Sequence, residues 1–181
     1  MSARGFDWSL AVERATRLNR DIAEADVHHI WNYGSANSGA DGSEIQELER
    51  HLGYRLDAEY TDFLKAANGW PGFYNDVDLL SASEVSDSEK ADRAWILADS
   101  ADEGSGGALG LDRGSHMPIA VAKFDIDVFM LFRHGETVTV RWIAGQQIES
   151  FPSVSSFFEA LVSYNEETLR QLREDPWLGA S

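Results

Sequence analysis

Residues 43–70 read SEIQELERHLGYRLDAEYTDFLKAANGW, and this stretch decides the fold. Ser43 and Gln46 have the S-x-x-Q spacing of a capping box, in which side chains satisfy the free backbone N–H groups at the start of a helix. The apolar residues that follow fall on one helix face: Ile45, Leu48 and Leu52. Gly53 can adopt the left-handed conformation that ends a helix. The pattern predicts a short amphipathic helix.

A second helix is predicted directly after the first. Asp57 is a favoured N-cap residue. The apolar positions after it have the spacing i, i+3, i+4, i+7 of a helix: Tyr60, Phe63, Leu64 and Ala67. Asn68-Gly69 and then Pro71 stop the pattern. Two helices therefore meet at a tight corner.

Upstream of this corner, residues Asp7 to Trp31 predict an amphipathic helix, because apolar residues recur there at steps of three to five. Tyr33 to Gly42 is rich in Gly, Ser, Asn and Asp, which favour turns over regular structure. We expect a linker there. The first 42 residues are thus predicted to form a helix and a linker ahead of the main domain, and the sequence leaves open whether the helix packs on that domain or extends to another protomer.

Downstream, short runs rich in Val, Ile and Phe are separated by turn residues, which is typical of an antiparallel meander. The predicted strands are 77–80, 117–122, 128–132, 138–143 and 146–148. Ser83 to Ala98 is predicted to be helical, and Asp99 to Ser115 to form a long mobile loop. Ser156-x-x-Glu159 is a further capping box, and a closing helix is predicted to run to about Asp175.

Composition sets limits on the class of protein. The 181 residues fit one domain, and 43% apolar residues are too many for a disordered chain. There is no cysteine, so disulfides and thiolate metal sites are excluded. Neither a signal peptide nor a membrane-spanning run is visible, so we expect a cytoplasmic protein.

Negative charge is concentrated in residues 76–112. This stretch holds ten carboxylates against Lys90 and Arg93, a net −8 out of the formal −16 of the chain. Such a field repels nucleic acid and anionic lipid and attracts a basic protein surface. The alternative interpretation is that the acidity only keeps the chain soluble.

Several pieces of the chain resemble the SUKH superfamily. They are the helix ending in Leu52-Gly53, the Tyr60-x-x-Phe63-Leu64 helix, the Asn68-Gly69 corner, the Met117-Pro118 strand and the Phe151 to Leu161 helix. The resemblance implies an α+β fold, a twisted antiparallel β-sheet flanked by helices, here with an extra N-terminal amphipathic helix. It also implies a protein without catalytic residues. Most bacterial members resemble immunity proteins that neutralise polymorphic or contact-dependent toxins, whereas fungal relatives act in cell-wall regulation.

Other chemistries are weakly indicated. No two of the five histidines have the H-x₃₋₅-H or H-E-x-x-H spacing of a metal site. Asp125 and Asp127 would share one strand face and could act as acid and base, but a solvated strand edge is the simpler interpretation. The loop from Gly104 to Gly110 lacks the Gly-Lys-Ser/Thr ending of a phosphate-binding loop. We therefore expect no enzyme activity, no metal and no cofactor.

We divide the chain into the N-terminal helix and linker (1–42), a SUKH-like domain (43–175) and a C-terminal tail (176–181). The hypothesis is an immunity protein that binds and neutralises a basic, nucleic-acid-targeting toxin domain, with neither nucleic acid nor a membrane as partner. The alternative is a regulatory or scaffold module of the cell-wall-regulator type. A homodimer is left open.

The surface predicted to bind the partner combines aromatic anchors with carboxylates. Its members are Trp70, Tyr74, Asp76, Asp78, Glu84, Asp87, Asp99, Asp102 and Glu103. For Trp70, the alternative is that the ring closes the core over the helix that carries Tyr60 and Phe63.

Overall fold

A computed structural model describes residues 5–135 and 137–175. The elements in chain order are α1 (Trp8–Ala25), α2 (Gly42–Leu52), α3 (Ala58–Ala66), β1 (Trp70–Tyr74), β2 (Val77–Leu79), α4 (Ala82–Ser86), α5 (Glu89–Gly104), β3 (His116–Ala122), β4 (Val128–His134), β5 (Thr137–Ile143), β6 (Gln147–Phe151) and α6 (Val154–Glu174). The predicted tail, 176–181, lies outside the described residues, and so does its Pro176-Trp-Leu segment.

The six strands form one antiparallel sheet in the order β1-β2-β3-β4-β5-β6, so every strand pairs with its neighbours in sequence. α6 contacts β1, β5 and β6, whereas α5 contacts β3 and β4. The predicted α+β class, an antiparallel sheet flanked by helices with an additional N-terminal helix, is confirmed. The β1 strand was not predicted, because Pro71 and Gly72 are turn-forming residues.

Aromatic rings join α1, α3, α6 and β1 in the core. Phe158 of α6 lies 5.4 Å from Trp8, 5.9 Å from Phe63 and 5.0 Å from Phe73, measured between ring centroids. Rings at these separations attract each other beyond the effect of burying their area. The first helix therefore contributes to the same hydrophobic core as the sheet.

Polar contacts also tie α1 to the domain. The buried Asn165 side chain donates hydrogen bonds to the carbonyl of Phe73 (2.7 Å) and to Oδ1 of Asn19 (3.1 Å). Asn19 in turn donates to the same Phe73 carbonyl at 3.2 Å. Farther along, Ile22 forms a small second cluster with Leu169 and Leu172 of α6. α1 ends at Ala25, six residues before the predicted end, where Asp26 caps the helix.

The corner between α2 and α3 forms as predicted, except for its first cap. Asp41, and not Ser43, is the N-cap of α2, and its capping box is completed by Glu44. Gly53 ends α2 in the left-handed region at φ 76°, and Asp57 caps α3. Asp41 takes the N-cap position instead of Ser43 because its carboxylate accepts hydrogen bonds from the backbone N–H groups of Ser43 (2.8 Å) and Glu44 (3.0 Å).

The predicted linker is a packed segment that covers the outer edge of β1. The N–H of Gly34 donates to the carbonyl of Pro71, and the N–H of Asn37 donates to that of Gly69, both at 3.0 Å. The Trp70 indole N–H donates to the Gly34 carbonyl at 3.0 Å. Because these bonds satisfy an otherwise open sheet edge, this edge is closed to further strand pairing.

Candidate protein-binding surface

Trp70, Asp76 and Asp78 lie inside the protein, with exposed fractions of 0%, 8% and 1%. The prediction that they form part of a contact surface is therefore wrong. Trp70 packs edge-to-face on Phe73 at 4.9 Å and belongs to the core, as its alternative interpretation proposed.

Asp78 is a buried charge held by three donors. Its Oδ1 accepts a hydrogen bond from the Gly72 N–H at 2.7 Å and lies 3.2 Å from Nζ of Lys123. Its Oδ2 lies 2.9 Å from Nζ of Lys90. A carboxylate so far from water is stable only when opposite charges and donors surround it. Asp78 thus joins β2 to α5 and to the end of β3.

Asp76 supports the β3–β4 hairpin. Its Oδ2 accepts hydrogen bonds from the N–H groups of Phe124 (2.8 Å) and Asp125 (3.2 Å). Its backbone carbonyl accepts from the N–H of Lys123 at 3.1 Å. The Asp76 side chain therefore stabilises the turn, and its burial keeps it from contacting another protein.

Tyr74 and Glu84 also serve the fold. Tyr74 is half-buried 5.9 Å from the ring of Tyr164, and burial raises the pKa of its hydroxyl. Glu84 completes the capping box of α4 with Ser81 and accepts a hydrogen bond from Nζ of Lys90 at 2.6 Å. Partial burial lowers the pKa of Lys90, but the two carboxylates Glu84 and Asp78 outweigh that effect and leave it raised.

The segment from Asp99 to Glu103 is helical, so its prediction as a mobile loop is wrong. α5 continues to Gly104 because Ala98 and Ala101 are buried on its inner side. Asp102 Oδ1 accepts hydrogen bonds from the N–H groups of Leu109 (2.8 Å) and Gly110 (3.2 Å), which fixes the chain after the helix. Asp102 is therefore structural, whereas Asp99 and Glu103 stay accessible.

Four accessible acids of α5 and one exposed isoleucine form a line that we call the α5 stripe. Its members are Glu89, Asp92, Ile96, Asp99 and Glu103. They follow one another at steps of three and four residues, so they lie on one helix face. The opposite face buries Ala91, Ala94, Ala98 and Ala101. In its centre Ile96 is 65% exposed, which places an apolar side chain among four carboxylates.

Three of the five stripe residues, Glu89, Asp92 and Ile96, were not selected from the sequence. The signal that could have found them is the alanine period at 91, 94, 98 and 101, since the buried face of a helix determines its exposed face. Asp87, which was selected, is exposed between α4 and α5.

Of the two arginines near the stripe, one bonds to backbone carbonyls and the other pairs with Asp99 of the stripe. Arg93 donates to the backbone carbonyls of Ala122 (3.0 Å) and Asp125 (2.7 Å). Arg113 donates to Asp99 at 2.7 Å, with its guanidinium 4.2 Å from the ring centre of Trp95. Glu89, Asp92 and Glu103 have no comparable cation among the described contacts, so the field of the stripe is largely uncompensated.

A groove next to α4 adds further carboxylates to the protein surface near α5. It has a volume of about 650 Å³ between α2 and α4, and it is lined by Glu44, Glu47, Asp87, His51 and small residues. Glu44 is engaged in the α2 capping box and in a hydrogen bond from Asn68 at 3.0 Å. Within residues 5–135 and 137–175, no three His, Asp or Glu side chains converge closely enough to hold a metal ion.

Across the described part of the chain, no helix has both the length and the apolar character that crossing a lipid bilayer requires.

Comparison with known proteins identifies the family. No match was found among curated proteins. A sequence model described as the SMI1 / KNR4 family (SUKH-1) matches residues 39–163. This region runs from the end of the segment that covers β1 to the middle of α6, and it includes α5 and the whole sheet. The match covers more than half of the chain and confirms the resemblance found in the sequence: the chain belongs to the SMI1 / KNR4 (SUKH-1) family.

Proposed function

We propose that this chain is a non-enzymatic immunity protein that neutralises a basic toxin domain by binding it through the α5 stripe. The observation that carries the proposal is the stripe itself, four carboxylates around an exposed isoleucine on a rigid helix. Family membership supports it, because the bacterial SUKH proteins that the sequence resembles are associated with immunity.

The chemistry of the stripe fits a toxin that acts on nucleic acid. Such a toxin holds phosphates with Lys and Arg side chains. Carboxylates spaced along a helix can occupy those positions, and their field raises the rate at which the two proteins meet. Ile96 adds apolar area in the middle of the charges, where water is most completely excluded from an interface.

Neutralising the stripe tests the proposal. The variant carries Glu89→Gln, Asp92→Asn, Asp99→Asn and Glu103→Gln. The matched control carries Glu13→Gln, Glu24→Gln, Asp62→Asn and Glu174→Gln, which removes the same charge from α1, α3 and α6. The probe is the C-terminal domain encoded by the reading frame immediately upstream of this gene, because immunity genes are expected to follow their toxin genes.

We expect the stripe variant to associate with the probe at least about tenfold more slowly, with a weaker salt dependence, because electrostatic steering is lost. It should also fail to protect cells that express the probe. The control should retain both properties. Equal association rates for the two variants would refute the stripe as the contact surface, and a probe that neither binds the wild type nor harms cells would refute immunity.

A further inference from the structure

The turn between β3 and β4 presents a second exposed apolar feature. Phe124 is 86% exposed, and Ile126, two residues later, is also exposed. We call residues 123–127 the hairpin tip. A phenylalanine this open contributes almost nothing to the hydrophobic core, so its presence here is not explained by the fold.

The backbone of the hairpin tip is held firmly. Asp76 Oδ2 accepts from the N–H groups of Phe124 and Asp125, as described above. Arg93 donates to the Asp125 carbonyl, and the Asp125 side chain accepts from the N–H of Ile126 at 2.8 Å. Phe124 is therefore displayed by an ordered turn, so its binding to a partner would require little loss of backbone entropy.

The hairpin tip lies beside the α5 stripe. Arg93 lies four residues after Glu89 and three before Ile96 on α5, so it borders the stripe. Its guanidinium donates to the carbonyl of Asp125 within the tip and to that of Ala122 directly before the tip. Glu89 lines a small cavity of about 200 Å³ together with Arg93, Ala122 and Lys123. One surface thus carries an apolar projection and, next to it, a row of carboxylates.

We infer that Phe124 is the apolar anchor of the interface and inserts into a hydrophobic pocket of the cationic partner, next to the basic residues that face the stripe. This inference rests on the proposed function and specifies the partner further. Binding hot spots combine a large ring in a desolvated pocket with a surrounding rim of polar contacts. The stripe governs the encounter, and Phe124 governs the lifetime of the complex.

The test compares Phe124→Ala with Leu10→Ala, which removes an exposed apolar side chain from α1. The probe is again the C-terminal domain encoded immediately upstream. Phe124→Ala should dissociate from it about 30-fold faster or more, the size expected of a hot spot, with an association rate within about threefold of wild type. Leu10→Ala should match the wild type. Circular dichroism and the unfolding midpoint should be unchanged in both variants.

A second measurement does not depend on a loss of affinity. A photo-crosslinking phenylalanine analogue at position 124 should form a covalent adduct with the probe on irradiation, whereas the same analogue at position 10 should not. Equal dissociation rates for Phe124→Ala and Leu10→Ala, or no adduct from position 124, would overturn the inference and leave the stripe proposal standing. An adduct between two copies of this chain would also overturn it. Absence of any binding by the wild type would instead refute the proposed function.

Discussion

Replacing Asp78 with alanine is expected to destabilise the protein strongly, although the residue lies in the most acidic part of the chain. The substitution removes one negative charge from a molecule of formal net charge −16. Considered over the whole molecule, this lowers the repulsion between like charges and should stabilise the folded state. Locally, however, it leaves the N–H of Gly72 buried without an acceptor and two lysine ammonium groups without their shared carboxylate.

The expected loss follows from the three contacts. A hydrogen bond to a charged group is worth about 1.5–3 kcal/mol. The pairs with Lys90 and Lys123 contribute about 0.5 kcal/mol each, since both lysine side chains are about one-third exposed and can turn towards water. We therefore expect a loss of about 3 kcal/mol. For a domain of this size, that lowers the melting temperature by about 6–12 °C.

Asp87→Ala is the matched control, because it removes the same charge from an exposed position of the same segment. It should change the unfolding free energy by no more than about 0.5 kcal/mol. Both values come from urea unfolding monitored by tryptophan fluorescence. If the two variants differ by less than about 1 kcal/mol, the idea that Asp78 is a structural charge is wrong.

Two further predictions concern the linker and a buried histidine. Gly39→Ala should lower the free energy of unfolding by about 2–3 kcal/mol, because an added Cβ would lie 1.8 Å from the carbonyl oxygen of Lys65. Gly42→Ala is the control: nothing lies within 4 Å of the added Cβ, so the same urea assay should show no loss. His116 accepts a hydrogen bond from the N–H of Asp112 at 3.0 Å, and burial lowers its pKa below 6.5. The unfolded chain therefore takes up this proton first, so stability should hold above about pH 6.5 and fall as the pH drops from there towards the folded pKa. His116→Gln should flatten this slope in unfolding midpoints measured from pH 8 to 5, and an unchanged slope would contradict the assignment.

Local signals made the helical corner and most strands predictable. Asp57 caps α3 as expected, and Gly53 ends α2, because capping depends on residues within a few positions of each other. The choice between Asp41 and Ser43 as the first cap could not be made, since both residues suit the role. The runs rich in Val, Ile and Phe became β3 to β5, because branched and aromatic side chains fit a buried sheet.

Interactions between distant residues account for what was missed. Aspartate is usually exposed, so Asp76 and Asp78 were expected at the surface. Their burial depends on partners 12 to 49 positions away, which no local pattern indicates. β1 contains Pro71, which cannot donate to a neighbouring strand, yet it is stable at the edge because Gly34 and Asn37 cover it. α5 runs past Asp99 because its alanines are buried, which outweighs the glycines that follow.

For the candidate site, charge alone identified an acidic region but not which of its residues are accessible. Of the nine residues selected, Asp87, Asp99 and Glu103 have accessible side chains that take no part in a helix cap or in the core, whereas the others are engaged mainly in the fold. Exposed apolar side chains such as Ile96 and Phe124 were not recognised, because a sequence does not show which hydrophobic residues the core leaves outside. Whether the accessible acids bind a partner stays a prediction.

The pairing of α1 with the second half of α6 has a consequence for how the family domain can be shortened. The matched region ends at residue 163, whereas Asn165, Leu169 and Leu172 continue α6 and meet Asn19 and Ile22 of α1. α1 and the end of α6 bury each other's apolar side chains. Deleting either one would therefore expose the apolar face of the other to water and leave the Asn19 or Asn165 side chain without its partner amide. A shortened version of the protein should therefore retain both α1 and the end of α6 or lack both.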